Sequence, residues 1–184
     1  MANICSTTYK LIGSKKVISN FYKKFEKALD NSEHHSLSEV FKAIEPEFKD
    51  DTLGNDGWVT FLERTSDDEI TIDVESKWSM DTILNSDEEY PVLEDIDIFY
   101  EAEELGCEFY QSNDYNNLYF PNNYIVISDN EISYFEEEED VIKYINDEFS
   151  VSVKNMESLY NFIEKYNNSN NDDSKIDIIV KVYD

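Results

Sequence analysis

Apolar residues recur along the chain at two spacings, and each spacing predicts a different element. Val17, Ile18, Phe21, Tyr22, Phe25 and Leu29 fall on one helical face at 100° per residue, with Lys16, Lys23 and Lys27 on the opposite side. Ser6 to Ile12 precedes this as a strand ended by Gly13, and Ser14 stands where a hydroxyl can cap the helix. A shorter helix is predicted around Leu37, Val40, Phe41 and Ile44. It must close near Pro46, because proline disfavours helical backbone in the residue before it.

Period-two alternation takes over at Trp58. Trp58 to Thr65 and Glu69 to Lys77 predict a hairpin turning at Ser66-Asp67-Asp68, with Ile70, Ile72 and Val74 inward and Thr71, Asp73 and Glu75 outward. A short helix is expected over Met80 to Glu89, ahead of Pro91. A strand over Ile96 to Glu103, a break at Gly106 and a partner strand over Cys107 to Gln111 follow.

The remaining third predicts strands at Tyr124 to Ser128 and Ile132 to Phe135, then a helix carrying Val141, Ile145 and Phe149. A second helix, behind an Asn155 cap, carries Met156, Leu159, Tyr160, Ile163 and Tyr166. A final strand aligns Ile176, Ile178, Val180 and Val182 on one face. The order predicts an α+β fold: a ferredoxin-like β-α-β-β-α-β antiparallel sheet over residues 1–112, with a C-terminal α/β extension, residues 113–184, packed on the same unit.

Composition makes this a folded chain. Its 184 residues are 40% hydrophobic and include 13 Tyr and 11 Phe, whereas acidic disordered chains are poor in aromatics. No apolar run is long enough to cross a bilayer and no leader precedes the first strand, so a cytoplasmic protein without a membrane partner is expected. Cys5 and Cys107 are expected to be buried small hydrophobes. The adjacent His34 and His35 point in different directions and suit a loop better than a metal site.

Charge changes the picture most. The net charge is −27, and it is unevenly placed: residues 1–50 carry 8 Lys and 7 acids, whereas residues 51–184 carry 7 basic residues and 35 acids. Phosphate contacts need clustered Lys and Arg, so direct nucleic-acid binding is disfavoured. Five consecutive acids, Glu136 to Asp140, precede a predicted helix, where the macrodipole accounts for two or three of them. It does not account for Asp73, Glu75, Asp97, Glu101, Glu103 and Glu108, which are read as strand residues. On a strand, alternate side chains repeat about every 6.6 Å and neighbouring strands lie about 4.8 Å apart, so outward carboxylates would form a lattice of negative charge.

Catalytic and metal motifs are poor. Thr52 to Glu63 resembles a calcium loop at Asp56, Gly57, Val59 and Glu63, but Thr52 and Gly54 replace two ligands and a strand is predicted after Gly57. With 4 Gly and 2 adjacent His, no phosphate loop or nucleophile triad can be assembled. No cofactor is expected. Trp78 and Tyr110 are expected in the core or at a sheet edge.

Three stretches together, Met1 to Gly13, "ESKWS" at Glu75 to Ser79 and "FYEAEELGCEFY" at Phe99 to Tyr110, resemble the YubB-type ferredoxin-like domain family of phage, plasmid and conjugative-element proteins. The resemblance covers the first two thirds of the chain. It implies the same fold and a mobile-element origin, with no catalytic residues to carry over. The combined expectation is a non-enzymatic acidic protein. Asp73, Glu75, Asp97, Glu101, Glu103, Glu108 and Glu136 to Asp140 would occupy the basic nucleic-acid-binding surface of a host defence protein by charge mimicry. The alternatives are an accessory binding module whose acids confer solubility, and a metal-dependent enzyme using clustered carboxylates.

Overall fold

The computed structural model describes residues 4–45, 57–77, 83–85, 90–128, 131–170 and 175–184. Helices and mostly antiparallel strands form an α+β protein whose contacts divide the chain into two units, Met1–Tyr115 with Tyr183–Asp184, and Asn116–Val182. Among the described residues no helix is long and apolar enough to cross a membrane.

The first unit is built on β1 (Ile4–Gly13), whose odd positions Cys5, Thr7, Tyr9 and Leu11 are buried. Ser14 caps α1 (Lys15–Asn31), which turns Ile18, Phe21, Phe25 and Ala28 inward and leaves Lys16, Lys23 and Lys27 exposed. Ser36 caps α2 (Leu37–Ile44), which buries Leu37, Val40 and Phe41. Strands β2 (Trp58–Glu63) and β3 (Glu69–Lys77) form the predicted hairpin, and β4 (Ile96–Glu104) and β5 (Phe109–Ser112) follow. Strand β1 lies between β3 and β4, antiparallel to both. One sheet face, carrying Tyr9, Leu11, Ile70, Ile72, Val74, Tyr100 and Ala102, joins the helices in the core.

Gly57 shows how closely that core is filled. A Cβ there would lie 2.5 Å from Val74 Cγ1, so a side chain at this point would have to displace the buried Val74. The strand after Gly57 removes the helix that a calcium loop requires; the first part of that lookalike lies outside the described residues. The helix expected over Met80 to Glu89 also falls largely outside them. Within it Ile83–Asn85 is a 3-10 turn, and a second such turn follows at Pro91–Leu93. Trp78 is likewise not described, whereas Tyr110 is a core residue.

The second unit has a three-stranded antiparallel sheet. It contains β6 (Tyr124–Ser128), β7 (Glu131–Phe135) and β8 (Ile176–Val180) in the order β7-β6-β8. Helices α3 (Glu138–Phe149) and α4 (Met156–Ser169) bury Val141, Ile145, Leu159 and Ile163 against Val126 and Ile176. Asn155 and Ser158 close a reciprocal cap at the start of α4. Tyr160, expected on the apolar face of α4, is 45% exposed, because Leu159 and Ile163 take the inward positions.

Two further expectations are corrected. The last apolar run is not one strand with one face: Val180 and Val182 are 44% and 62% exposed, and the strand breaks at the buried Lys181. Lys181 donates its backbone N–H to Asn123 O at 2.9 Å and its Nζ to Phe120 O at 2.6 Å. The chain then joins the first sheet as β9 (Val182–Tyr183), completing the order β2-β3-β1-β4-β5-β9. Cys107 is exposed, unlike buried Cys5, because Leu105–Cys107 is a 3-10 turn outside the sheet.

The returning end is tied to β4 and β5. Asp184 donates its N–H to Ser112 O at 3.1 Å and accepts a 2.9 Å bond from the Tyr100 hydroxyl at Oδ2, while Tyr115 donates to Asp184 O. Burial, then the hydrogen bond to Asp184 and its charge, push the Tyr100 phenol well above its ordinary 10.0. The folded state therefore keeps this proton after the unfolded chain begins to lose it. The stabilisation is complete below about pH 10 and falls as pH rises further, at up to about 1.4 kcal/mol per pH unit. Urea unfolding between pH 9 and pH 11 should show a shallower alkaline loss for Tyr100→Phe than for the wild type. Equal slopes would mean that Tyr100 titrates alike in both states.

Candidate functional site

The register of β1 with its two neighbours determines where the strand acids lie. Ser6 pairs with Glu75 on one side and Glu103 on the other, and Thr8 with Asp73 and Glu101. Lys10 pairs with Thr71 and Phe99, and Ile12 with Glu69 and Asp97. All these residues share the sheet face opposite Tyr9 and Leu11. The result is two columns of carboxylates, one on β3 and one on β4, separated by two strand spacings, about 10 Å, and stepped about 6.6 Å along each strand.

Hydroxyl and ammonium donors between and beside the columns explain how so much like charge is tolerated. The Thr8 hydroxyl donates to Asp73 Oδ1 at 2.8 Å, and the Tyr110 hydroxyl to Glu101 Oε2 at 2.7 Å. Lys10 Nζ donates to Glu69 Oε1 at 2.7 Å and to Thr71 Oγ1 at 2.8 Å, and Thr65 adds a further bond to Glu69. Burial by itself would raise the Glu69 carboxyl. The bonds from Lys10 and Thr65 and the Lys10 charge outweigh it and hold Glu69 below the usual carboxylate range.

Exposure grades across the face. Asp97 is exposed, whereas Asp73, Glu75, Glu101 and Glu103 are half-buried, so the outward set is less open than alternation predicts. Thr71, also expected outward, is buried beneath Lys10. Glu108 does not belong to a strand. It caps the Leu105–Cys107 turn in the left-handed region at φ 53°, exposed, and so stands outside the columns.

Several residues of this face were not singled out from sequence. Glu69 extends the β3 column, and its shared parity with Asp73 and Glu75 was the available signal. Along β2, the register places Trp58 beside Glu75 and, across a bulge, Phe61 beside Asp73. Phe61 is 44% exposed and Phe99 of β4 is half-buried on the same face. The carboxylates thus stand among aromatic side chains.

The second acidic array belongs to the other unit. Glu137 is the N-cap of α3 but makes no side-chain capping bond, and Glu138, Glu139 and Asp140 fill its first turn. All five residues of Glu136 to Asp140 are exposed. The macrodipole favours the three first-turn acids by about 0.3–1 kcal/mol each. The Tyr124 hydroxyl donates to Glu138 Oε1 at 3.3 Å, and burial, then the Glu138 charge and hydrogen bond, push the Tyr124 phenol up.

Where β7 runs out against α3 there is an open hollow of about 410 Å³, lined by Tyr134, Phe135, Glu136, Asp140, Tyr144 and Asp147, with Asn122 and Lys143 completing it. The Phe135 and Tyr144 rings pack with centroids 5.2 Å apart. Asp147 lies two helical turns from Asp140 and so shares its face of α3. Among the described residues no group of three or more His, Cys, Asp or Glu is arranged to hold a metal ion.

No family model matches the chain, and neither a curated protein nor a solved structure matches it.

Proposed function

We propose that the protein is a non-enzymatic interaction protein whose acidic sheet face occupies the basic nucleic-acid-binding surface of another protein. The observation that carries this reading is the pair of carboxylate columns on β3 and β4, in register across Ser6 and Thr8. A nucleic-acid backbone is a regular array of negative charge, and the proteins that bind it present matching Lys and Arg. A rigid sheet holds its carboxylates at regular steps without the entropy loss that ordering a flexible acidic tail would incur. Aromatic Trp58, Phe61 and Phe99 on the same face offer anchoring contacts of the kind that dominate protein interfaces.

The fold supports a finer reading of the first unit as an elaborated ferredoxin-like domain. Its strands β2-β3-β1-β4 are antiparallel throughout, as in a β-α-β-β-α-β chain whose last strand returns beside its first, and β5 and β9 extend the sheet. With the resemblance to the YubB-type family, this reading makes a cytoplasmic host defence protein, such as a nuclease, the partner class.

The test is competition. The immobilised protein would capture partners from a bacterial lysate, stepped salt would elute them, and each would then be offered duplex DNA and this protein together. Mutually exclusive binding that weakens as salt rises is the expected result. Binding that survives high salt, or a ternary complex with DNA, would overturn the proposal and leave the acids as solubilising charge on an accessory module.

A further inference from the structure

We infer that β7 accepts an added strand from a basic partner. An extended segment alternating Lys or Arg with apolar residues would pair along its outer edge and lay its cationic side chains over the hollow beside α3. This rests on the function proposed above and names how such a partner is held by the second unit.

The first observation is the edge itself. Among the described residues no strand lies beyond β7 in the order β7-β6-β8, and its register with β6 runs unbroken from Tyr124↔Phe135 to Ser128↔Glu131. Edge strands are normally guarded by bulges, brevity, charges or proline. Strand β2 has a bulge between Val59 and Phe61, β9 spans two residues and β8 carries Asp177 at its second position. Strand β7, "EISYF", has no bulge and no proline, its one charge, Glu131, stands at its first position, and its Ile132 and Tyr134 are 46% and 42% exposed.

The second observation is how the two faces of that edge differ. Ile132 and Tyr134 pair with Ile127 and Ile125, whereas Ser133 and Phe135 pair with Val126 and Tyr124 on the helix-covered face. An added strand alternates in the same way. Its side chains on one face meet Ile132 and Tyr134 and should be apolar. Those on the other face turn toward α3 and the hollow, which Tyr134 also lines and where Glu136, Asp140 and Asp147 outnumber Lys143 three to one beside the Phe135–Tyr144 ring pair, and should be cationic. Charge complementarity selects this occupant over a second copy of the chain, which would bring another net −27 to the same edge.

The experiment uses the full chain and two fluorescent octapeptides of identical composition, one alternating Arg and Val, the other four Arg followed by four Val. The alternating peptide should bind at least tenfold more tightly and shift the amide signals of Glu131–Phe135. Ile132→Gln with Tyr134→Gln, both at exposed positions, should weaken it tenfold or more. Asp140→Asn with Asp147→Asn should weaken it similarly and flatten its salt dependence. Equal binding of the two peptides would overturn strand addition while leaving the sheet-face proposal standing, since that proposal is judged separately by competition with DNA. A wild-type dimer that the Ile132/Tyr134 variant converts to monomer would also overturn it, by assigning the edge to a second copy.

Discussion

Phe25→Ala is expected to destabilise the first unit by about 3–5 kcal/mol, the range for removing a large aromatic from a core that cannot collapse around the space. Phe25 is fully buried, its ring 5.4 Å from Phe21 and edge-on to Phe41 at 6.2 Å, so it joins α1 to α2 as well as to the sheet. Truncation removes both aromatic contacts from a fully buried position. Changing Lys16, Lys23 or Lys27 to Ala on the opposite face of the same helix should alter stability by no more than about 0.5 kcal/mol. Urea unfolding followed by circular dichroism measures both. A cost for Phe25→Ala below about 1 kcal/mol would mean that α1 is not held to the sheet by this face.

That contrast is legible in the sequence because helical periodicity is a local signal. Ser14, Phe21 and Phe25 announce α1 within one short stretch, and the same holds for the Asn155 cap of α4 and the Glu69–Lys77 alternation. Pairing is not local. Nothing in the stretch Ile176 to Tyr183 says that Lys181 will bond to Asn123 and Phe120, dividing one apolar run between two sheets. Conformations set by a single residue are also hidden. Glu108 adopts the left-handed region and leaves the strand, a geometry that favours Gly, Asn or Asp and that its side chain does not advertise.

The candidate site was legible in the same uneven way. Parity placed Asp73 with Glu75 and Glu101 with Glu103, but only the register through β1 brings the two pairs to either side of Thr8 and Ser6. The Glu136 to Asp140 run was visible as charge. Its association with Tyr144 and Asp147 depends on how α3 lies against the end of β7, which no local pattern encodes.

Neutralising the sheet face by Asp73→Asn, Glu75→Gln, Glu101→Gln and Glu103→Gln should weaken binding to the captured basic partner by about 100-fold at low salt, with a smaller salt dependence than the wild type. Such a loss corresponds to about 0.7 kcal/mol per charge, within the range of partly exposed ion pairs, so it asks nothing unusual of any one contact. The same variant should be more stable than the wild type. The amide oxygens can still accept from Thr8 and Tyr110, while the repulsion between columns about 10 Å apart is removed. Weaker binding with a higher melting temperature is therefore the signature of charge held against folding stability for recognition. Binding unchanged in the neutralised variant would place recognition elsewhere, and a lower melting temperature would show that the carboxylates of this face serve the fold.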